Sequence, residues 1–130
     1  MKTVIQRVRS ASVRVDGTVV AAIGHGMLIL AGFDPDDTGT VLRAVAQKIA
    51  SLRIFGDREG KMNLSCPEAG GAVLCVPEFT LSADIYGGRR PSFSSAMEPR
   101  RAAQCYRDFL GVLAGTGLTV EQGEIGRAHV

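Results

Sequence analysis

The chain has 130 residues, 45% of them hydrophobic and 22% charged, with a net charge of +2. That length supports one domain with a real core and is too short for two, and the balance of apolar and charged residues excludes a disordered chain. No apolar run approaches the ~20 residues that span a bilayer. The start, Met1-Lys2-Thr3-Val4-Ile5-Gln6-Arg7, lacks the uninterrupted apolar segment of a signal peptide. Cys66, Cys75 and Cys105 are widely spaced and odd in number, which predicts reduced thiols in a cytoplasmic protein and neither a disulfide framework nor a zinc site.

Residues 3–9 and 12–15 alternate and carry β-branched side chains. Asp16-Gly17 then precedes Thr18-Val19-Val20-Ala21-Ala22-Ile23. An Asp-Gly pair between such runs predicts a hairpin, because a type I′ turn needs positive φ at both central residues. Gly24-His25-Gly26 reads as a turn, and the continuous apolar run Met27 to Phe33 as a strand buried on both faces. Asp34-Pro35-Asp36-Asp37-Thr38 offers N-caps and first-turn acids to a helix over 38–52. Its apolar residues Val41, Leu42, Val45, Ile49 and Leu52 recur at helical spacing.

Arg53-Ile54-Phe55 predicts a short strand, 57–60 a turn, 61–65 an extended piece and 72–76 a further strand. A second helix starts at Glu98-Pro99, proline suiting the first turn. Ala102, Tyr106, Phe109, Leu110 and Leu113 form its stripe, Gly115 and Gly117 end it, and a strand follows over 118–121. The order β-β-β-α-β-β-β-α-β predicts an α/β single domain, a mixed β-sheet or partial barrel with two packed helices.

The chemistry concentrates between Val73 and Phe93. An apolar strand leads into Pro77-Glu78-Phe79-Thr80-Leu81, placing a hydroxyl at the strand's end, and Gly87-Gly88-Arg89-Arg90-Pro91-Ser92-Phe93 follows. Residues 85–107 carry Arg89, Arg90, Arg100, Arg101 and Arg107 against Glu98, a local +4 that leaves −2 for the rest. Such a face can steer an anionic partner; equally, it fits a solvated helix beside a basic loop. There is no Walker loop, no GxGxxG after a strand, no HExxH and no GxSxG elbow. With His25 and His129 the only histidines, a Ser-His-Asp site is not indicated.

Several segments together resemble one family. Val4-Ile5-Gln6-Arg7-Val8, Ala11-Ser12-Val13-Arg14-Val15-Asp16-Gly17, Lys48-Ile49 to Leu52-Arg53-Ile54-Phe55, Gly60-Lys61-Met62-Asn63-Leu64-Ser65, Phe79-Thr80-Leu81 and Gly88-Arg89-Arg90-Pro91-Ser92-Phe93 are similar to the D-aminoacyl-tRNA deacylases, in order and at natural spacing. The resemblance covers residues 1 to about 123 and makes them a deacylase-like domain. It implies a homodimeric, metal-independent and cofactor-free editing enzyme that hydrolyses the ester joining a D-amino acid, or glycine, to the 3′ end of tRNA. It further implies that the RNA's 2′-hydroxyl shares in catalysis, with the motif threonine positional.

By that resemblance Thr80 is the motif threonine, and Phe79 supplies the main-chain amide at the reacting carbonyl. Pro77 and Glu78 line the substrate pocket, where the family carries serine and glutamine. Proline removes a backbone donor. A glutamate only accepts hydrogen bonds, and its charge has the wrong sign beside an oxyanion. Arg89, Arg90 and Lys61 are the candidate tRNA contacts, since cations match phosphate oxygens, and Lys61-Met62-Asn63 is a candidate second wall. The departures leave other readings open: a non-catalytic tRNA-binding or dimerisation module with a decayed site, a sister-branch editor of L-alanyl-tRNA, and a related esterase with an altered substrate.

The family continues beyond the last strand into an Asn-x-Gly-Pro segment whose glycine and cis-proline enter the partner subunit's pocket and exclude L-amino acids. Here Glu124-Ile125-Gly126-Arg127-Ala128-His129-Val130 stands instead. Residues 125–130 are what a common sequencing adapter encodes in one frame, so 124–130 is expected to be a non-native tail and stereoselectivity to be weak.

Overall fold

The computed structural model describes residues 1–82, 89–90 and 97–123. Four strands precede the first helix: β1 (Lys2–Val8), β2 (Ala11–Val15), β3 (Thr18–Ile23) and β4 (Gly26–Gly32). Helix α1 (Gly39–Ser51), the short strands β5 (Phe55–Gly56) and β6 (Met62–Leu64), strand β7 (Ala72–Pro77), helix α2 (Pro99–Gly115) and β8 (Thr119–Gln122) follow. This is the expected mixed sheet with two packed helices, with one strand more before α1 than the expected order holds. The opening extended run is divided at Arg9-Ser10, because β1 joins the main sheet while β2 joins a separate hairpin.

The main sheet has the order β1-β4-β7-β8. Strand β1 is antiparallel to β4, and β7 is parallel to both β4 and β8. The central strands are buried on both faces, which explains their unbroken apolar sequences. Met27, Ile29, Ala31, Val73 and Cys75 point into one core with Leu42, Ala46 and Ile49 of α1 and Tyr106, Phe109 and Leu113 of α2. Leu28, Leu74 and Val76 point the other way, against Val13, Ala21 and Ile23 of the β2–β3 hairpin. The domain is therefore three layers: helices, sheet, hairpin.

Local chemistry sets the turns. Asp16 and Gly17 adopt φ of 51° and 78°, the left-handed pair that a two-residue hairpin demands. Gly26 admits the close approach of β7: a Cβ there would lie 1.8 Å from the Ala72 carbonyl oxygen.

One expectation is corrected in the segment before α1. Thr38 is the N-cap, its hydroxyl accepting from the Val41 N–H at 3.4 Å, and the first turn holds no acid. Asp34 and Asp37 turn instead to the Met1 ammonium, each 2.8 Å away, while Asp37 also accepts the Asp34 N–H. Burial works against that ammonium's charge, but the two carboxylates outweigh it and raise its pKa above the ordinary 8.0. At α2 the Glu98 carboxylate caps, accepting from the N–H groups of Arg100 and Arg101.

Candidate functional site

Strand β7 delivers the chain to the candidate site. Its register against β4 closes with Pro77 opposite Ala31, and the next residue continues the ladder: the Glu78 N–H donates to the Ala31 carbonyl at 2.8 Å. The pairing of β7 with β8 ends at Cys75 opposite Gln122, two residues before Pro77, so proline's missing donor costs no rung there. Phe79–Ser82 then winds into a short 3₁₀ helix beside β4 and β1. Thr80 thus lies in a helical turn three residues beyond the strand, and not at the strand's end as expected.

Glu78 organises this corner. Its Oε1 accepts from the Thr80 hydroxyl at 2.7 Å and from the Thr80 N–H at 3.2 Å. The arrangement is a side-chain cap on the first turn, of the kind by which acids and hydroxyls satisfy orphan N–H groups. Two consequences follow for the chemistry. The Thr80 proton is directed to Glu78, so the hydroxyl oxygen offers only lone pairs to anything else. The Glu78 carboxylate is held along the turn by its own neighbour. Its Oε2 accepts no hydrogen bond from the described residues. Thr80 is exposed, and the Phe79 ring is 62% exposed although large and apolar.

Beneath the corner the structure is closed and unreactive. Cys75 is fully buried, and burial pushes its thiol up to about 12, which leaves it an inert core group. The Tyr106 hydroxyl lies 2.9 Å from both the Cys75 and Gly123 carbonyl oxygens and shares its proton between them. The α2 helix thereby grips β7 just before it enters the site.

The structure brings together Pro77, Glu78, Phe79 and Thr80 at the end of β7 and places Lys61 on a different turn. Lys61 belongs to the turn between β5 and β6. Its N–H donates to Asp57 at 3.0 Å and its ammonium lies 4.0 Å from Glu59. Asn63 is held by Arg53, whose Nε donates to the Asn63 carbonyl at 3.0 Å and whose terminal nitrogen donates to the Asn63 Oδ1. Arg89 and Arg90 are both exposed. The flanking Gly87-Gly88 and Pro91-Ser92-Phe93 lie outside the described residues, as does 124–130. His25 sits at the opposite end of β4 from the corner, edge-on to Phe55 with centroids 5.2 Å apart, in a cleft shared with Arg7, Val8 and Arg9.

The Glu78–Thr80 bond went unread in the sequence, where Glu78 stood only as a misplaced charge. The signal was present: an acid directly ahead of a short turn, two residues before a Thr, is a capping pattern. The Tyr106 contact carried no such signal, since the same residue reads as one position of an apolar stripe.

A mixed sheet with helices on one face and a hairpin on the other is the deacylase-type α/β domain. A solved structure of a probable eukaryotic D-amino acid tRNA deacylase shares this fold with a TM-score of 0.80 at 18% identity, covering 96% of this chain and 88% of that one. The chain belongs to the D-Tyr-tRNA(Tyr) deacylase family, whose model matches residues 4–130. It is 51% identical over 126 residues to the D-aminoacyl-tRNA deacylase of Chloroflexus aurantiacus, covering 97% of this chain and 79% of that protein. The enzyme of the same name from Anaeromyxobacter dehalogenans is 50% identical over 123 residues, covering 95% and 83%. A solved structure titled c-Myc DNA Unwinding Element Binding Protein superposes with a TM-score of 0.92 at 36% identity, over 100% of this chain and 91% of that one.

Proposed function

We propose that this protein is an aminoacyl-tRNA editing hydrolase, cleaving the ester of D-aminoacyl-tRNA, and of glycine mischarged on tRNA-Ala, to free amino acid and tRNA. The observation that carries this reading is the family match over residues 4–130, and the exposure of Thr80 on the turn after β7 supports its assignment as the motif threonine. An aminoacyl ester is already activated, so a protein that orients it beside a water and offers hydrogen bonds to the oxyanion does enough. Thr80 and the Phe79 main chain frame the ester, and Pro77 and Glu78 form the pocket's floor. Exposed Arg89, Arg90 and Lys61 meet tRNA phosphates, making binding weaken with salt. The enzyme works in the cytoplasm as a homodimer, without metal or cofactor.

The test is the half-life of D-tyrosyl-tRNA with and without the purified protein, read beside L-tyrosyl-tRNA. Accelerated release of D-tyrosine supports the proposal. Salt-sensitive binding of tRNA without turnover overturns it. That outcome favours a second reading, a nucleic-acid-binding module, for which the relative titled as a DNA-binding protein provides the specific support.

A further inference from the structure

The Gly24-His25-Gly26 turn has no task in ester hydrolysis, and it closes one side of a basic cleft of about 430 Å³ lined by Arg7, Val8, Arg9, His25, Phe55 and Gly56. The register of the main sheet builds this cleft. Strands β1 and β4 pair as far as Val8 opposite Gly26, so the next residue along each chain direction, Arg9 and His25, stand side by side where the two strands part. The walls are held in place. Arg7 Nη1 donates to the Ile54 carbonyl at 2.9 Å. The His25 carbonyl accepts the Ala72 N–H at 3.0 Å, and the His25 ring is edge-on to the buried Phe55. Arg7, Arg9 and His25 are all exposed, and among the described residues no carboxylate forms an ion pair with either guanidinium. The acid that follows in the chain, Asp57, is engaged in its own turn, where Oδ1 accepts the N–H groups of Glu59 and Lys61.

We infer that this cleft is a further RNA contact, separate from the turn that carries Thr80, in which Arg9 and His25 hold a phosphodiester of the tRNA while Arg7 adds charge to the site. Arginine offers five N–H donors and no acceptor, Arg7 spends one on Ile54, and an imidazole donates at least one more. A phosphate has the matching character, an anion with several acceptor oxygens that a guanidinium fork fits. The cleft has room for a phosphate together with its flanking ribose, and the exposed His25 ring adds a surface on which an unpaired base can stack. The inference rests on tRNA being the partner and deepens that reading. The 7 residues of β4 put the cleft about 20 Å from the Thr80 corner at ~3.3 Å per residue. At that separation it reads the polynucleotide and not the amino acid, and it contributes affinity without touching the ester.

Uncharged tRNA is the probe, and its binding is measured by fluorescence anisotropy over a range of salt concentrations. This readout does not depend on turnover, so it stands apart from the hydrolysis test above. The variants are Arg9→Gln, His25→Asn and, as a control for net charge, Arg14→Gln on the exposed face of β2. Arg9→Gln and His25→Asn are each expected to weaken binding about fivefold, the scale of one solvent-screened contact. Arg9→Gln should also lower the slope of log affinity against log salt by roughly one phosphate, with its melting temperature near native because Arg9 is exposed. Arg14→Gln should leave affinity and slope near native. On D-tyrosyl-tRNA, Arg9→Gln should raise KM and spare kcat. Equal losses in Arg9→Gln and Arg14→Gln, undiminished affinity in Arg9→Gln, or no binding by the native protein overturns the inference. Inorganic phosphate that binds the native protein and not Arg9→Gln, with tRNA affinity equal in the two, assigns the cleft to a free phosphate and overturns the RNA contact. Native protein that binds tRNA through the cleft yet releases no amino acid from D-tyrosyl-tRNA supports the contact and overturns the catalytic reading alone.

Discussion

Tyr106 donates its buried hydroxyl to the Cys75 carbonyl, joining the middle of α2 to the strand that carries the candidate site, and shares the same proton with Gly123 at an equal 2.9 Å. The Gly123 N–H also reaches the Cys75 carbonyl at 2.9 Å, so that oxygen keeps one partner if the phenol is lost. The Gly123 carbonyl has no such substitute among the described contacts. Tyr106→Phe preserves the ring packing and removes only the hydroxyl. It is expected to cost about 1–2 kcal/mol, the scale of one buried hydrogen bond with an acceptor left unsatisfied, measured by urea denaturation.

Stability is expected to fall on the alkaline side. Burial raises the Cys75 thiol from its ordinary 9.0 to about 12. Burial and the neighbouring Cys75 raise Tyr106 above its ordinary 10.0, against the opposing Gly123 hydrogen bond. The Met1 ammonium is raised above 8.0. All three hold their protons more tightly folded than unfolded, so stability is fully present below pH 8.0 and is lost as pH rises through the raised values. Melting temperatures across this range check the direction, and Cys75→Ala should flatten the part of the loss above pH 9.0.

Gly26→Ala places a Cβ 1.8 Å from the Ala72 carbonyl oxygen, in the first rung of the parallel β4–β7 ladder. Backbone cannot rotate away as a side chain can. A loss of about 1–3 kcal/mol in denaturant titrations is expected, typical of overpacking that forces backbone to shift.

Thr80→Val keeps the side chain's shape and deletes the oxygen that faces outward from the turn. Because Thr80 is exposed, its melting temperature should stay near native. Its kcat/KM on D-aminoacyl-tRNA should fall roughly 10- to 100-fold, the penalty for losing a positioning contact.

The elements were legible wherever one short rule decided them. Asp16-Gly17 fixed its hairpin through φ alone, and the unbroken Met27–Phe33 run announced a strand enclosed by two layers. Side-chain pairings between distant segments were not legible. Asp34 and Asp37 were read as helix caps because the nearest orphan N–H groups lie just downstream, but the Met1 ammonium, charged and far away in sequence, is the stronger partner. Thr80 was read with its strand because β-branched residues favour extended backbone, whereas Glu78 offers its amide a cap that a ladder could not. Of the site, the residues were visible and the bond between them was not.

The register of β4 has a consequence for how the molecule assembles. Its pairing with β1 and the β2–β3 hairpin are made within the first 32 residues, while its parallel partner β7 arrives only after α1 and the β5–β6 pair, and β8 only after α2. Loop closure makes such remote pairing slow relative to local contacts. The N-terminal strands can therefore organise first, and the turn bearing Glu78 and Thr80 acquires its shape only when β7 docks. The chemistry of this protein thus waits on a remote pairing and is absent from the strands that can organise first.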